Sequence, residues 1–221
     1  MTLKRIENNK KLLRKINVEK GYKGIPIIKK QEVDTTETSL VNFKNINYEK
    51  NKNKVVHMFL YDEYLDKIWN NYDKNLSKLR EYKAIFTPDF STYIDMPEIF
   101  IEWNVYRNRW IGAYWQSMGL KVIPTIQWAE PSTYDICLGM VEKGSIVAIS
   151  TLGAKKNIEY FIWGYKEMIE RIRPSKIICF GNKVEGMDEE NIIFIDYKDA
   201  FSKKERERIE TFFEFFEEEG K

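Results

Sequence analysis

From Val55 onward, short unbroken apolar runs alternate with longer stretches in which apolar residues recur at helical spacing. The runs fall at residues 55–60, 84–86, 121–126, 145–149, 176–180 and 191–195, each of strand length. Between the first two, Leu65, Ile68, Trp69, Leu76 and Leu79 keep a helix-like spacing that is interrupted at residues 70–73. Residues 97–118 predict a long helix, with Pro97 suited to its first position and Gly119 to its C-terminal cap. Residues 132–140 predict a short helix before Gly144, and Asn157 can cap another that stops ahead of Pro174. Ser202 opens a last helix in which Phe212, Phe213, Phe215 and Phe216 are mixed with glutamates.

A strand without polar alternation is covered on both faces, as in parallel sheets wrapped by helices. The connections are long enough for right-handed crossovers. The pattern therefore predicts an α/β domain over residues 55–221, with a mainly parallel sheet of about six strands alternating with helices. An open doubly wound sheet and an incomplete β/α barrel both fit. Residues 1–54 read as a basic N-terminal extension or linker: a helix-compatible stretch at 3–18, a break at Gly21 and Gly24, a short extended piece at 25–28, and a polar remainder.

In either architecture, ligands sit beyond the C-terminal ends of the strands. Polar residues gather there. The segment from Thr87 to Asp95 offers Asp89 and Asp95 as candidate catalytic carboxylates, able to act as base or nucleophile or to share a divalent cation. Each has a structural alternative: an Asx-turn for Asp89 and the N-cap of the following helix for Asp95. Ser91 lies between them. On the long helix, Asn104, Arg107, Asn108 and Gln116 form a polar stripe in which Arg107 is a fork for phosphate or carboxylate, or else a lock on a neighbouring acid. Thr125 and Trp128 follow the third strand, Trp128 as a stacking surface or as core. Ser150, Thr151 and Gly153 lie between a strand and a helix, where hydroxyls and backbone amides can cradle phosphate, although the GxxxxGK[ST] spacing of a P-loop is absent.

Composition narrows the chemistry. The 221 residues carry a formal charge of only +2, but residues 1–30 hold ten Lys or Arg against Glu7 and Glu19. Such an arm is either a solvated leader or an electrostatic foot on nucleic acid. His57 is the only histidine, which excludes a histidine-based metal cluster, and it is expected to be structural. No CxxC or Cys/His spacing suggests zinc, so no metal ligands are assigned. Cys137 and Cys179 read as buried free thiols of a cytoplasmic protein. No apolar stretch is long enough to span a bilayer, and no membrane partner is expected.

The segments Thr87-Pro88-Asp89-Phe90-Ser91, Asp95-Met96-Pro97, Trp103 to Asn108, Gly112 to Gln116, Val122 to Thr125 and Val147 to Gly153 together resemble a bacterial and phage family, the domain of unknown function numbered 4417. The resemblance covers roughly residues 55–197. It implies a prokaryotic or mobile-element origin and brings no assigned reaction or catalytic residues. Three functions stay open: an enzyme acting on a nucleotide, nucleobase or nucleic acid at the strand-end cleft; a non-enzymatic nucleic-acid or partner-binding protein using the basic arm; and a sponge that holds a nucleotide unchanged.

Overall fold

The computed structural model describes residues 14–188 and 190–200. Seven strands run through them: β1 (Leu40–Asn42), β2 (Val55–His57), β3 (Ala84–Phe86), β4 (Val122–Ile123), β5 (Ile146–Ser150), β6 (Lys176–Phe180) and β7 (Ile192–Ile195). The helices are α1 (Asp62–Asn70), α2 (Leu76–Leu79), α3 (Glu98–Ser117), α4 (Tyr134–Cys137), α5 (Ile158–Ile172) and α6 (Tyr197–Ala200). The helix expected from Ser202 lies outside the described residues, as does most of the one expected at 3–18, whose residues 14–18 are not helical.

All strand pairs are parallel and the order follows the chain, β1-β2-β3-β4 in one sheet and β5-β6-β7 in the other. A parallel bridge between Thr125 and Ala148 joins the two, with Ile126 N donating to Ala148 O at 2.8 Å and Ala148 N to Pro124 O at 2.9 Å. A doubly wound sheet reverses its strand order at a switch point. Here no reversal occurs, so every crossover returns in the same sense and the sheet curls. One interior cluster takes Leu40, Val55, Phe86, Ile123, Ala148, Phe180 and Ile195, at least one residue from each strand. No ladder joins β7 to β1 among the described residues, so the architecture is an incomplete β/α barrel.

The two faces divide as the pleat requires. In β5, Ile146 and Ala148 point into the barrel, while Val147 and Ile149 join the outer core under α5. In β6, Ile178 and Phe180 point in, while Ile177 and Cys179 point out. A second outer core joins Leu65, Ile68 and Trp69 of α1 to Trp110 and Trp115 of α3. Fully burying such side chains is worth roughly 1.5–3 kcal/mol each.

β1 was not evident in the pattern. Leu40, Val41 and Asn42 make a strand of three residues inside a polar stretch, paired with β2 in the register Leu40 to Val55. Ile25 and Ile28 are also buried, and Ile28 explains a glycine: a Cβ on Gly112 of α3 would lie 2.5 Å from Ile28 Cδ1 and 2.6 Å from Thr87 Cγ2. α3 ends as expected, with Gly119 at a φ of 82° and Leu120 N donating to Trp115 O at 3.0 Å. Its start differs. Pro97 takes the N-cap position without a side-chain cap bond, and Asp95 is exposed in the preceding turn, so Asp95 does not cap α3.

Candidate functional site

At the C-terminal end of β3 the chain passes through Thr87 and Pro88 to Asp89. Asp89 N donates to Met58 O at 3.4 Å, which draws the loop against the end of β2. Asp89 is half-buried as a residue, but its Oδ1 is sealed from solvent and has no hydrogen-bond partner. Burial, and secondarily the negative charge of Asp62, push its carboxyl up to about 8. The shift favours the neutral acid. Asp62 is the first residue of α1, and its Oδ1 accepts from Ser91 N at 3.1 Å. One carboxyl group thus has a sealed, unpartnered oxygen, and a second carboxyl is held beside it by a backbone donor.

Around this pair, Ser91 Oγ accepts from Tyr93 Oη at 3.0 Å, and Thr92 Oγ1 lies 3.5 Å from Gln127 Oε1, beyond β4. Below the rim the barrel is plugged by aromatic rings. Phe59 and Phe180 stack at 4.7 Å, and His57 stacks on Phe180 at 5.1 Å. His57 is fully buried among these rings.

The polar stripe of α3 is largely spent on architecture. Arg107 pairs with Asp66 of α1, donates to Asn104 Oδ1, and lies 3.8 Å over the ring of Phe90. Asn104 Nδ2 donates to Ser91 O at 2.6 Å, so Asn104 positions the Asp89 loop. Asn108 Nδ2 donates to Pro88 O at 2.8 Å and to Thr125 O at 3.3 Å, bracing the ends of β3 and β4. Thr125 is buried and exchanges bonds with Thr87, its Oγ1 donating to Thr87 O and its N–H to Thr87 Oγ1, both at 2.8 Å. Gln116 is elsewhere. It binds the backbone of Lys29 and the side chain of Gln31, whose Oε1 also accepts from Val122 N at the start of β4, the end opposite the rim.

Trp128 packs on α5 rather than over a cavity: its Cδ1 would lie 2.1 Å from a Cβ on Gly164, and Phe161 is 5.2 Å away. The loop after β5 is self-satisfied in part. Ser150 Oγ donates to Phe180 O at 3.3 Å and accepts from Leu152 N at 3.1 Å, while Thr151 Oγ1 donates to Asn182 O at 2.8 Å. Gly153 turns the chain at a φ of 82°. The structure thus brings Asp89, Ser91, Asn104, Arg107, Asn108 and Thr125 together through the loop after β3, and leaves Gln116 and Trp128 outside that group.

Sequence reasoning passed over Arg109. It is 2% exposed and fully caged by oxygen acceptors: Gly139 O, Asn108 Oδ1, Thr125 O and Cys137 O, at 2.6–3.3 Å. Burial lowers its guanidinium to about 10, so it remains charged at pH 7. Its acceptors are mostly backbone oxygens, and no sequence signal marks those. Asp62 opens α1, and nothing in the sequence ties it to Asp89. Among the described residues, no group of three or more His, Cys, Asp or Glu side chains could hold a metal, and no helix is long and apolar enough to cross a membrane.

Comparison with known proteins places the chain. The family model of the domain of unknown function DUF4417 matches residues 18–198. The Gene 1 protein of Mycobacterium phage L5 is 42% identical over 129 residues, covering 57% of this chain and 56% of that protein. The Gene 1 protein of Mycobacterium phage D29 is 40% identical over 129 residues, covering 57% of this chain and 48% of that protein. The chain thus aligns with about half the length of these curated relatives. No solved structure matches it.

Proposed function

We propose, for a chain that belongs to the DUF4417 family, that it is an acid–base enzyme working at the strand-end rim on a nucleotide, nucleobase or nucleic acid, with Asp89 as its proton-carrying group. The observation that carries this reading is the dry, unpartnered Oδ1 of Asp89 beside Asp62. A buried carboxyl costs stability unless something is gained from it, and a pKa near the working pH is what general acid catalysis needs. Ser91, Thr92 and Gln127 supply hydroxyl and amide groups of the kind that read a base or sugar edge, and Ser150 and Thr151 stand across the rim. The substrate class also draws on the phage origin of the two relatives. Asp95 is exposed in its turn and takes no part in this acid–base reading.

A second reading has its own support. Because Arg107, Asn108 and Trp128 are bound up in structural contacts, few groups remain for catalysis, which favours a protein that binds its partner without turning it over. One experiment separates the two. The purified protein is incubated with nucleoside mono-, di- and triphosphates, free nucleobases, and single- and double-stranded oligonucleotides, and products are read by mass spectrometry. Turnover that falls by about 10²–10⁴-fold in Asp89→Asn, and that in the parent declines above pH 8, supports the enzyme. Binding without turnover, or turnover indifferent to Asp89→Asn, removes it.

A further inference from the structure

On the outer side of the barrel, between α1 and the 3-10 turn Phe43–Asn45 that follows β1, lies a cleft of about 250 Å³. Its rim carries Lys44, Lys67 and Lys74, all exposed, and no Asp or Glu lines it. None of the three lysines forms an ion pair among the described residues. Two of the three meet over one ring: Lys44 Nζ is 3.7 Å and Lys67 Nζ is 4.9 Å from the centroid of Tyr64. Two ammonium groups gathered on one tyrosine without a counter-charge leave an attraction for an anion unmet.

The floor has a different chemistry. It is apolar and aromatic, with Ile68 and Leu79 beside Tyr72 and Trp115, and the Trp115 Nε1–H donates to the backbone carbonyl of Tyr72 at 2.8 Å, which fixes the indole. Asn75 reaches the cleft with an amide that makes no hydrogen bond among the described residues. An apolar floor edged by the half-buried rings of Phe43, Tyr64 and Tyr72, a free amide and a cationic rim suit a base, its edge and its phosphate in turn. The volume, just below the usual range for small-ligand sites, is on the scale of a single nucleoside.

We propose that this cleft binds a single phosphorylated nucleoside, either a free nucleotide or one unit of a nucleic-acid strand, with Lys44, Lys67 and Lys74 on the phosphate and Asn75 on the base. The site is separate from Asp89, so either proposal can fail alone. The test is calorimetric titration of the full chain with adenosine 5′-monophosphate, thymidine 5′-monophosphate, a thymidylate tetranucleotide and inorganic phosphate. Nucleotide binding should weaken at least tenfold in Lys44→Glu/Lys67→Glu and several-fold in Asn75→Ala, and should persist in Asp89→Asn. Equal affinity for mononucleotide and tetranucleotide identifies the free nucleotide as the ligand. A tighter tetranucleotide, losing roughly twentyfold in affinity between 50 and 200 mM salt as expected for about three phosphate contacts, identifies a strand. The proposal is overturned if no nucleotide binds, if inorganic phosphate binds as tightly as the nucleotides, or if the charge reversal leaves affinity unchanged while thermal melting shows the variant folded.

Discussion

Ser91 N donates to Asp62 Oδ1 at 3.1 Å, closing the loop after β3 onto the first turn of α1 and fixing a negative charge beside the Asp89 carboxyl, whose Oδ1 is sealed from solvent. Burial of Asp89, with this charge adding to it, sets how stability should depend on pH. The folded-state value of Asp89, about 8, lies above the ordinary value of 3.8. Between those values the unfolded chain has given up a proton that the folded chain still holds. Stability must then fall as pH rises through that window, by up to about 1.4 kcal/mol per pH unit from this group, and level off above pH 8. Asp89→Asn cannot titrate. Relative to the parent its melting temperature should therefore climb from pH 4 to pH 8 and stay level beyond. Parallel melting curves for the two proteins across that range would show that Asp89 is not held neutral.

Arg107 illustrates how a candidate ligand-binding residue becomes a structural one. Its side chain is 10% exposed, while that of its partner Asp66 is 54% exposed. The two ends of the pair are therefore unequal. Arg107→Ala leaves Asn104 Oδ1 without its donor and uncovers Phe90, and should cost about 2–4 kcal/mol in urea unfolding. Asp66→Asn removes a solvent-screened charge and should cost no more than about 1 kcal/mol. A folded, fully stable Arg107→Ala that has lost ligand binding would instead restore the anion-binding role.

The fold was legible because its strands are buried on both faces and leave unbroken apolar runs in the sequence. Two of the six expected runs are much longer than their strands: residues 55–60 hold a strand of three residues, with Met58 and Phe59 as core beyond the ladder, and residues 121–126 hold a strand of two. β1 was not legible, because three residues next to Phe43 and Lys44 show no periodicity; only pairing with β2 makes them a strand. The candidate site was legible to the level of the rim. Acids, amides and hydroxyls at strand ends are easily read, but their partners are not. Arg107 and Asp66 are far apart in sequence, and Asn108 is satisfied by two carbonyl oxygens that any residue could offer. The lysines of the outer cleft lie on three separate segments, so no local spacing reveals them.

Gly164 lies inside α5, where glycine is about 1 kcal/mol worse than alanine on propensity alone. A helix-propensity argument predicts that Gly164→Ala stabilises the protein. Packing predicts the reverse. The added Cβ would stand 2.1 Å from Trp128 Cδ1 and 2.3 Å from Trp128 Nε1, and the indole is hemmed in by Phe161 at 5.2 Å. A rigid ring cannot yield that distance as a flexible chain end could, so either the indole leaves its place or α5 moves off the sheet. The overpacking cost, about 1–3 kcal/mol or more, exceeds the propensity gain, and Gly164→Ala should be destabilising in urea unfolding. Trp128→Leu removes the flat ring, so the double variant Gly164→Ala/Trp128→Leu should be more stable than the sum of the two single costs. Additive losses in that cycle would show that α5 and Trp128 are not in contact. An unchanged or raised stability of Gly164→Ala alone would show that propensity, rather than the approach of the indole, governs this position.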